Sequence, residues 1–210
     1  MSALSEVVMV IKMIIGLTGG IATGKSTISS FFKEEGIPVI DTDLIAHDLM
    51  KQGQKAYGEI IKVFGSEILN EDGEINRKAL GKIVFNNEEK RLMLNRIVHP
   101  LVKEVVKEDI KRYQTDGHKI IVIDVPLLFE SGFDDLCDKT LVVFTHYLIQ
   151  LERLRKRDHL SKTEAEKRIK AQMRLEEKVL RADFVLDNSG NINATYKQFI
   201  ELLHKIKKFC

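Results

Sequence analysis

The sequence predicts an α/β fold: a parallel sheet core flanked by helices, with a helical insertion and a helical lid. Three observations carry that reading. Short apolar runs alternate with stretches of helical period, a glycine-rich loop joins the first run to the first helix, and one long block carries helical pattern only. Met13–Leu17 is a short apolar run feeding a glycine loop, as expected of a buried parallel strand. Lys25–Glu35 carries Ile28, Phe31 and Phe32 at helical spacing, and Gly36 stands at the C-cap position. Ile37–Ile40 is a second apolar run, closed by Asp41-Thr42-Asp43, so strand, loop, helix and strand form a right-handed βαβ unit.

From Leu44 to Tyr113 the pattern is helical. Ile60, Ile61 and Phe64 share a face before Gly65, Asp72-Gly73 marks a turn, and Asn76 and Asn87 are suited to N-cap two further helices. Val102, Val105, Val106, Ile110 and Tyr113 form the next stripe, which the pair His99-Pro100 breaks on its N-terminal side. Sheet signals return at Lys119–Val125 and Thr140–Phe144. Helices are predicted from about His146 to Arg157 and from Lys162 to Met173, the second started by a Ser161-x-x-Glu164 capping box. Phe184-Val185-Leu186 reads as a last strand, and Tyr196, Phe199, Ile200 and Leu203 stripe a closing helix. The predicted organisation is an extension at 1–12, a core of 13–43 with 116–145 and 175–210, a helical subdomain at 44–115 and a lid at 146–174.

Composition bounds the function. At roughly 150 residues per domain, 210 residues give one domain with an insertion or two small ones. A net charge of +2 is too balanced for a protein that coats polyanions. Two cysteines exclude a disulfide framework and point to a reducing, cytoplasmic setting. The apolar stretch before Gly16 is interrupted by Lys12 and falls short of the roughly 18 residues of a membrane span, and its early charge, Glu6, is wrong for an export signal. It reads as a lead-in to the first strand.

Gly19-Gly-Ile-Ala-Thr-Gly24-Lys25-Ser26 fits G-x-x-x-x-G-K-S/T at every fixed position, after a strand and opening a helix. Glycines let successive N–H groups turn inward around the β- and γ-phosphates of a nucleoside triphosphate, Lys25 adds a cation, and the Ser26 hydroxyl suits Mg²⁺. A GTPase is disfavoured: Asp124 is followed by Val-Pro-Leu rather than x-x-Gly, and no N-K-x-D occurs. Asp41 and Asp43 end the second strand. One suits a helix N-cap, and Asp43 is the candidate base for an attacking hydroxyl. Arg153 and Arg157, with Arg155 and Lys156 between them and Arg168 and Arg174 beyond, form either a solvated basic face or a lid that carries arginines onto phosphates. Asp124 ends an apolar run, where a carboxylate reaches Mg²⁺ or simply finishes a strand. His99 by position alone is a structural histidine.

Together these residues resemble the dephospho-coenzyme A kinases. The matching segments are IGLTGGIATGKST (15–27), VIDTDLIAH (39–47), NRKALGKIVF (76–85), IVHPLV (97–102), DVPLLFESG (124–132), QLERLRKRD (150–158), RIKAQM (168–173) and ADFVLDNSG (182–190). The resemblance implies a P-loop kinase similar in build to the nucleoside monophosphate kinases, using ATP and Mg²⁺ to phosphorylate the ribose 3′-hydroxyl of dephospho-CoA. It implies an ATP site of Gly19, Gly20, Ala22, Thr23, Gly24, Lys25, Ser26 and Thr27, completed by Arg157 from the lid and by Asn188 near the base. It further implies Asp43, Lys25 and Arg157 as catalytic residues, Asp43, Arg77 and His99 at the acceptor, and Ser26 and Asp124 at the metal. The expected partners are small molecules, with neither nucleic acid nor membrane, and the chain is expected as a monomer or weak homo-oligomer. Ala22-Thr23 departs from the family's usual Gly-Ser or Gly-Thr, and alanine resists positive φ. A kinase for another small acceptor, such as a nucleoside monophosphate, and a non-catalytic nucleotide-binding protein are the rival readings.

Overall fold

Each apolar run becomes a strand, and how completely it is apolar decides its place. The computed structural model describes residues 12–85 and 87–209. Strands β1 (Met13–Gly19), β2 (Val39–Asp41), β3 (Ile120–Asp124), β4 (Lys139–Phe144) and β5 (Phe184–Asp187) lie in the order β2-β3-β1-β4-β5. β1 is parallel to both β3 and β4, and β4 to β5. The βαβ unit expected at the N-terminus exists as a succession of elements, but its strands are not partners, because β3 lies between β1 and β2. The reason is burial. β3 is buried at all five positions and needs a neighbour on each side, whereas the three-residue β2 is half-buried at both ends and tolerates an edge. β2 also starts later than the apolar pattern suggests: Pro38 has no N–H to give, although its carbonyl accepts from Val122 N–H at 2.9 Å.

Helix α1 (Lys25–Glu34) and the closing helix, Ile192–Lys207, cover one face of the sheet. Ile28 and Phe32 from the first meet Phe199, Leu203 and Ile206 from the second above Ile15, Leu17, Val122, Leu141 and Val143. The Phe32 and Phe199 rings meet edge to face at 4.9 Å, the favoured geometry for aromatic quadrupoles.

The chain divides into two compact units, one holding the residues up to Ile40 and from Arg112 onward, the other Asp41–Lys111. The second unit contains α2 (Thr42–Leu49), α3 (Tyr57–Phe64), α4 (Arg77–Phe85) and most of α5 (Glu88–Thr115). Asn76 and Asn87 cap as expected, accepting from Ala79 N–H at 3.0 Å and Lys90 N–H at 2.9 Å. Two details differ from the sequence pattern. An antiparallel bridge between Leu69 and Ile75 closes the Asp72-Gly73 turn. And Pro100 does not break the helix: α5 runs through it, because Val98, Val102 and Val106 are buried along one face and outweigh the hydrogen bond that proline cannot donate to the Arg96 carbonyl.

In the first unit α6 (Tyr147–Asp158) and α7 (Lys162–Lys170) pack on each other, and both hydrogen bonds of the Ser161/Glu164 capping box form, at 3.3 Å and 3.0 Å. The helix expected to reach Met173 stops at Lys170. A separate short helix, α8 (Leu175–Arg181), precedes β5, and the closing helix is therefore α9 (Ile192–Lys207). Cys137 is a free thiol packed against Gly16 of β1, and burial, then Asp134 and Asp138, pushes its pKa up to about 12. The lead-in expected over residues 1–12 lies outside the described residues except for Lys12, whose Nζ donates to the Gln114 carbonyl at 3.0 Å. Among the described residues no helix is long and apolar enough to cross a membrane.

The two-helix cover sets a stability expectation. Phe199→Ala should cost about 3–5 kcal/mol in chemical denaturation. Leu148→Ala, at a side chain 75% exposed on α6, should stay within about 0.5 kcal/mol of the parent.

Candidate active site

β1 ends at Gly19, and the chain must turn before α1 without strand or helix partners for its peptide groups. Gly24 makes the turn at φ 93, in the left-handed region, and caps α1 with no side chain over the helix end. A Cβ there would collide with Nδ2 of Asn188. Thr23 is fully buried; its N–H and Oγ1 both donate to the Gly20 carbonyl, at 3.2 Å and 2.9 Å. Its own carbonyl accepts from Asn188 Nδ2 at 2.8 Å, and Asn188 Oδ1 in turn accepts from Thr195 Oγ1 at 2.8 Å. Gln150 Nε2 donates to the Ile21 carbonyl, and Ile21 N–H donates to Gln172 Oε1, both at 2.8 Å. Ala22 holds φ 59, so the residue flagged in the sequence does sit in the left-handed region. The first turn of α1 carries no acidic residue of its own, and the positive end of its dipole favours a negative group. A helix terminus of this kind, under a loop held from outside, is suited to an anion.

Parallel pairing aligns Leu17 with Asp124, which brings the buried Asp124 carboxylate to the loop, where Lys25 Nζ donates to its Oδ1. The exposed Ser26 follows at the second position of α1. Beneath the loop lies a second cation that the sequence did not reveal. Lys178 of α8 is 0% exposed, and its ammonium donates to Glu130 Oε1 at 2.9 Å, the Pro126 carbonyl at 2.9 Å and the Gly19 carbonyl at 3.5 Å. Burial pushes its pKa below the usual lysine range; Glu130 opposes that shift, and the nearby charge of Lys25 adds to it.

The arginines of α6 have distinct partners. Arg153 Nη1 donates to the Asn188 carbonyl at 2.9 Å. Arg157 grips Asp158 through Nε and Nη2, at 2.8 Å and 3.2 Å, and Arg168 of α7 donates to the same carboxylate at 2.7 Å. These hydrogen bonds and charges, Arg157's first, hold Asp158 below the usual carboxylate range. The like charges on this segment therefore have a protein counter-charge. A small apolar cluster of Leu151, Leu154 and Ala165 joins α6 to α7 and packs against Ile21 and Ala22. Beside it a cavity of about 430 Å³ opens between Gly20, Thr145, Gln150 and the segment Gln172–Leu175.

In the second unit Asp41 is the N-cap of α2, its Oδ1 accepting from Asp43 N–H and Leu44 N–H, both at 3.0 Å. Asp43 is thereby placed, exposed, in the first turn rather than at the strand end. Arg77 is the exposed first residue of α4, and His99 is half-buried in α5, its pKa lowered by burial and then by Lys103. Of the sequence-selected residues, Gly19–Thr27, Asp124, Arg157 and Asn188 thus lie in the first unit, and Asp43, Arg77 and His99 in the second. Asn188, expected near the base, has both ends of its side-chain amide engaged inside the protein. Gln150, Gln172, Glu130 and Asp158 all fall within segments that carry the family resemblance, without any residue-level signal of their roles. Lys178 falls within none.

Residues 13–194 match the family model for CoaE: dephospho-CoA kinase. The chain is 51% identical over 193 residues to a dephospho-CoA kinase of Bacillus anthracis, covering 92% of this chain and 96% of that one. With the Lactobacillus johnsonii enzyme of the same name it shares 49% over 192 residues, 91% and 97% of the two chains. Among solved structures it is similar to the dephospho-CoA kinase from Campylobacter jejuni, at 30% identity and a TM-score of 0.71, covering 94% and 98% of the chains. A shikimate kinase from Bacteroides thetaiotaomicron, 16% identical with a TM-score of 0.53 over 93% and 98%, shares the fold.

Gly24→Ala meets both a left-handed backbone and a blocked Cβ site, and should abolish nucleotide binding measured by calorimetry. Ala22→Gly relieves a left-handed alanine, and should retain binding while raising stability by up to about 1 kcal/mol. The depressed His99 pKa has a defined sign. As pH falls the unfolded chain takes up this proton first, so its contribution is intact above the ordinary value of 6.5 and drains below it. The denaturation midpoint should therefore decline on going from about pH 7 to about pH 5, and His99→Gln should remove that part of the decline.

Proposed function

The chain belongs to the dephospho-CoA kinase family, and from that premise we propose how its own residues move the γ-phosphoryl group of ATP to the ribose 3′-hydroxyl of dephospho-CoA, giving CoA and ADP. One observation carries the assignment of the ATP site: the N-terminus of α1, with no acidic residue in its first turn, under a loop fixed by Asn188, Gln150 and Gln172, with Lys25 at its mouth. Backbone N–H groups between Gly20 and Ser26, other than those of Ile21 and Thr23, take the β- and γ-phosphate oxygens, and Lys25 shares its ammonium between Asp124 and the transferring group. Asn188 serves the nucleotide through the loop carbonyl that it holds.

Ser26 and Asp124 offer the hard oxygen donors that Mg²⁺ prefers, and they are the residues that would hold it; when bound, the ion neutralises charge on the β- and γ-oxygens. Asp43 accepts the proton of the 3′-hydroxyl as that oxygen forms its bond to the γ-phosphorus and the bond to the bridging β,γ-oxygen breaks. Asp43, exposed in the first turn of α2, is the carboxylate assigned to this step. Arg77 and His99 bind the acceptor. Arg157 exchanges part of its grip on Asp158 for the migrating phosphoryl group, and α6–α7 act as a lid that keeps water from the γ-phosphate. On this reading the chain works in the cytoplasm as a monomer or weak homo-oligomer on small-molecule substrates.

The reading is tested by incubation with Mg-ATP and dephospho-CoA, followed by mass measurement of the acceptor, which gains one phosphoryl group. Asp43→Asn should lower kcat roughly 10²–10⁴-fold with the fold intact. Lys25→Ala should lose at least about a hundredfold in kcat/KM for ATP. Wild-type turnover in Asp43→Asn would remove that residue as the base.

A further inference from the structure

The phosphate-transfer scheme leaves the charged pair of Lys178 and Glu130 without a role. A lysine with no exposed surface is costly unless its charge is used. Its three N–H donors meet three acceptors, namely Glu130 Oε1, the Pro126 carbonyl and the Gly19 carbonyl where β1 becomes the phosphate loop. The same Glu130 Oε1 also accepts from Met173 N–H at 3.1 Å. Met173 follows Gln172, whose Oε1 holds Ile21 N–H in the middle of the loop. The connection between α7 and α8 therefore grips the phosphate loop at two points, once through Gln172 and once through the chain Met173–Glu130–Lys178–Gly19.

We propose that Lys178 and Glu130 are positioning residues that tie the C-terminal end of the lid to the first carbonyl of the phosphate loop, so that the closed lid is held in register with the phosphate-gripping loop. Neither side chain touches substrate; both act through backbone, Glu130 on Met173 and Lys178 on Gly19 and Pro126. An apolar residue of equal volume would fill the site under the loop but would remove a donor from the Gly19 and Pro126 carbonyls and the counter-charge from the Glu130 carboxylate. The consequence is that phosphoryl transfer stays coupled: ATP is committed to the ribose hydroxyl and not to water. The proposal rests on reading Gly19–Thr27 as the phosphate cradle and α6–α7 as its lid.

The readout is the ratio of ATP hydrolysed to CoA formed by the full chain, with KM for ATP measured in parallel. Glu130→Ala cuts the contacts to Met173 and Lys178 while leaving the Gln172 grip in place, and should raise that ratio roughly tenfold, the equivalent of one charge-assisted hydrogen bond. Glu130→Gln keeps an oxygen acceptor for Met173 N–H and Lys178, and should bring the ratio back to within about threefold of the parent. The double variant Glu130→Ala/Lys178→Met removes both charges together; it should show the same rise, and it stands in where the single variant does not fold. A parental ratio in Glu130→Ala or in the double variant overturns the proposal, as does a Glu130→Gln ratio no better than that of Glu130→Ala. Failure of the parent chain to form CoA at all overturns the kinase reading instead, so the two failures are told apart.

Discussion

The peptide groups between Gly19 and Gly24 belong to neither strand nor helix, and their satisfaction is the constraint on which the site depends. Thr23 N–H turns back onto the Gly20 carbonyl and Ile21 N–H goes to Gln172, and other loop carbonyls are held from outside. Asn188 takes the Thr23 carbonyl, Gln150 takes that of Ile21, and Lys178 reaches that of Gly19. These three side chains come from the end of β5, from α6 and from α8. The parallel sheet brings them within reach, because the carboxyl ends of β1, β3, β4 and β5 emerge on one side.

The same constraint explains why six buried polar residues gather around the loop. The α1–α9 face is filled mainly by aliphatic and aromatic side chains. Around the loop, Thr18, Thr23, Asp124, Gln150, Lys178 and Asn188 are all buried, and no described buried side-chain polar atom lacks a hydrogen-bond partner. A network satisfied to that degree is stiff. Stiffness is what a phosphate cradle needs, since donors that must reorganise on binding contribute less.

Much of this was legible in the sequence, because local rules set it. The glycine loop, the Asn76, Asn87 and Ser161 caps and the stripe of Phe199 and Leu203 all depend on neighbours three or four residues away. What escaped depends on distant partners. The place of β3 between β1 and β2 is decided by burial across the sheet, which a linear pattern does not encode. Pro100 reads as a break until the buried valines on either side are counted. α8 is hidden for a simpler reason: the residue that occupies the core at its centre is Lys178, which every hydrophobic pattern scores as surface. Charge seen in sequence means solvent by default, and only the three acceptors around that ammonium reverse the inference.

The half-buried thiol packed against Gly16 of β1 has a consequence for an enzyme whose product ends in a free sulfhydryl. Disulfide exchange proceeds through thiolate, and a cysteine with its pKa near 12 supplies almost none at neutral pH. Cys137 is thereby a poor partner for oxidised coenzyme, and the central strand escapes being capped by the very molecule the enzyme releases.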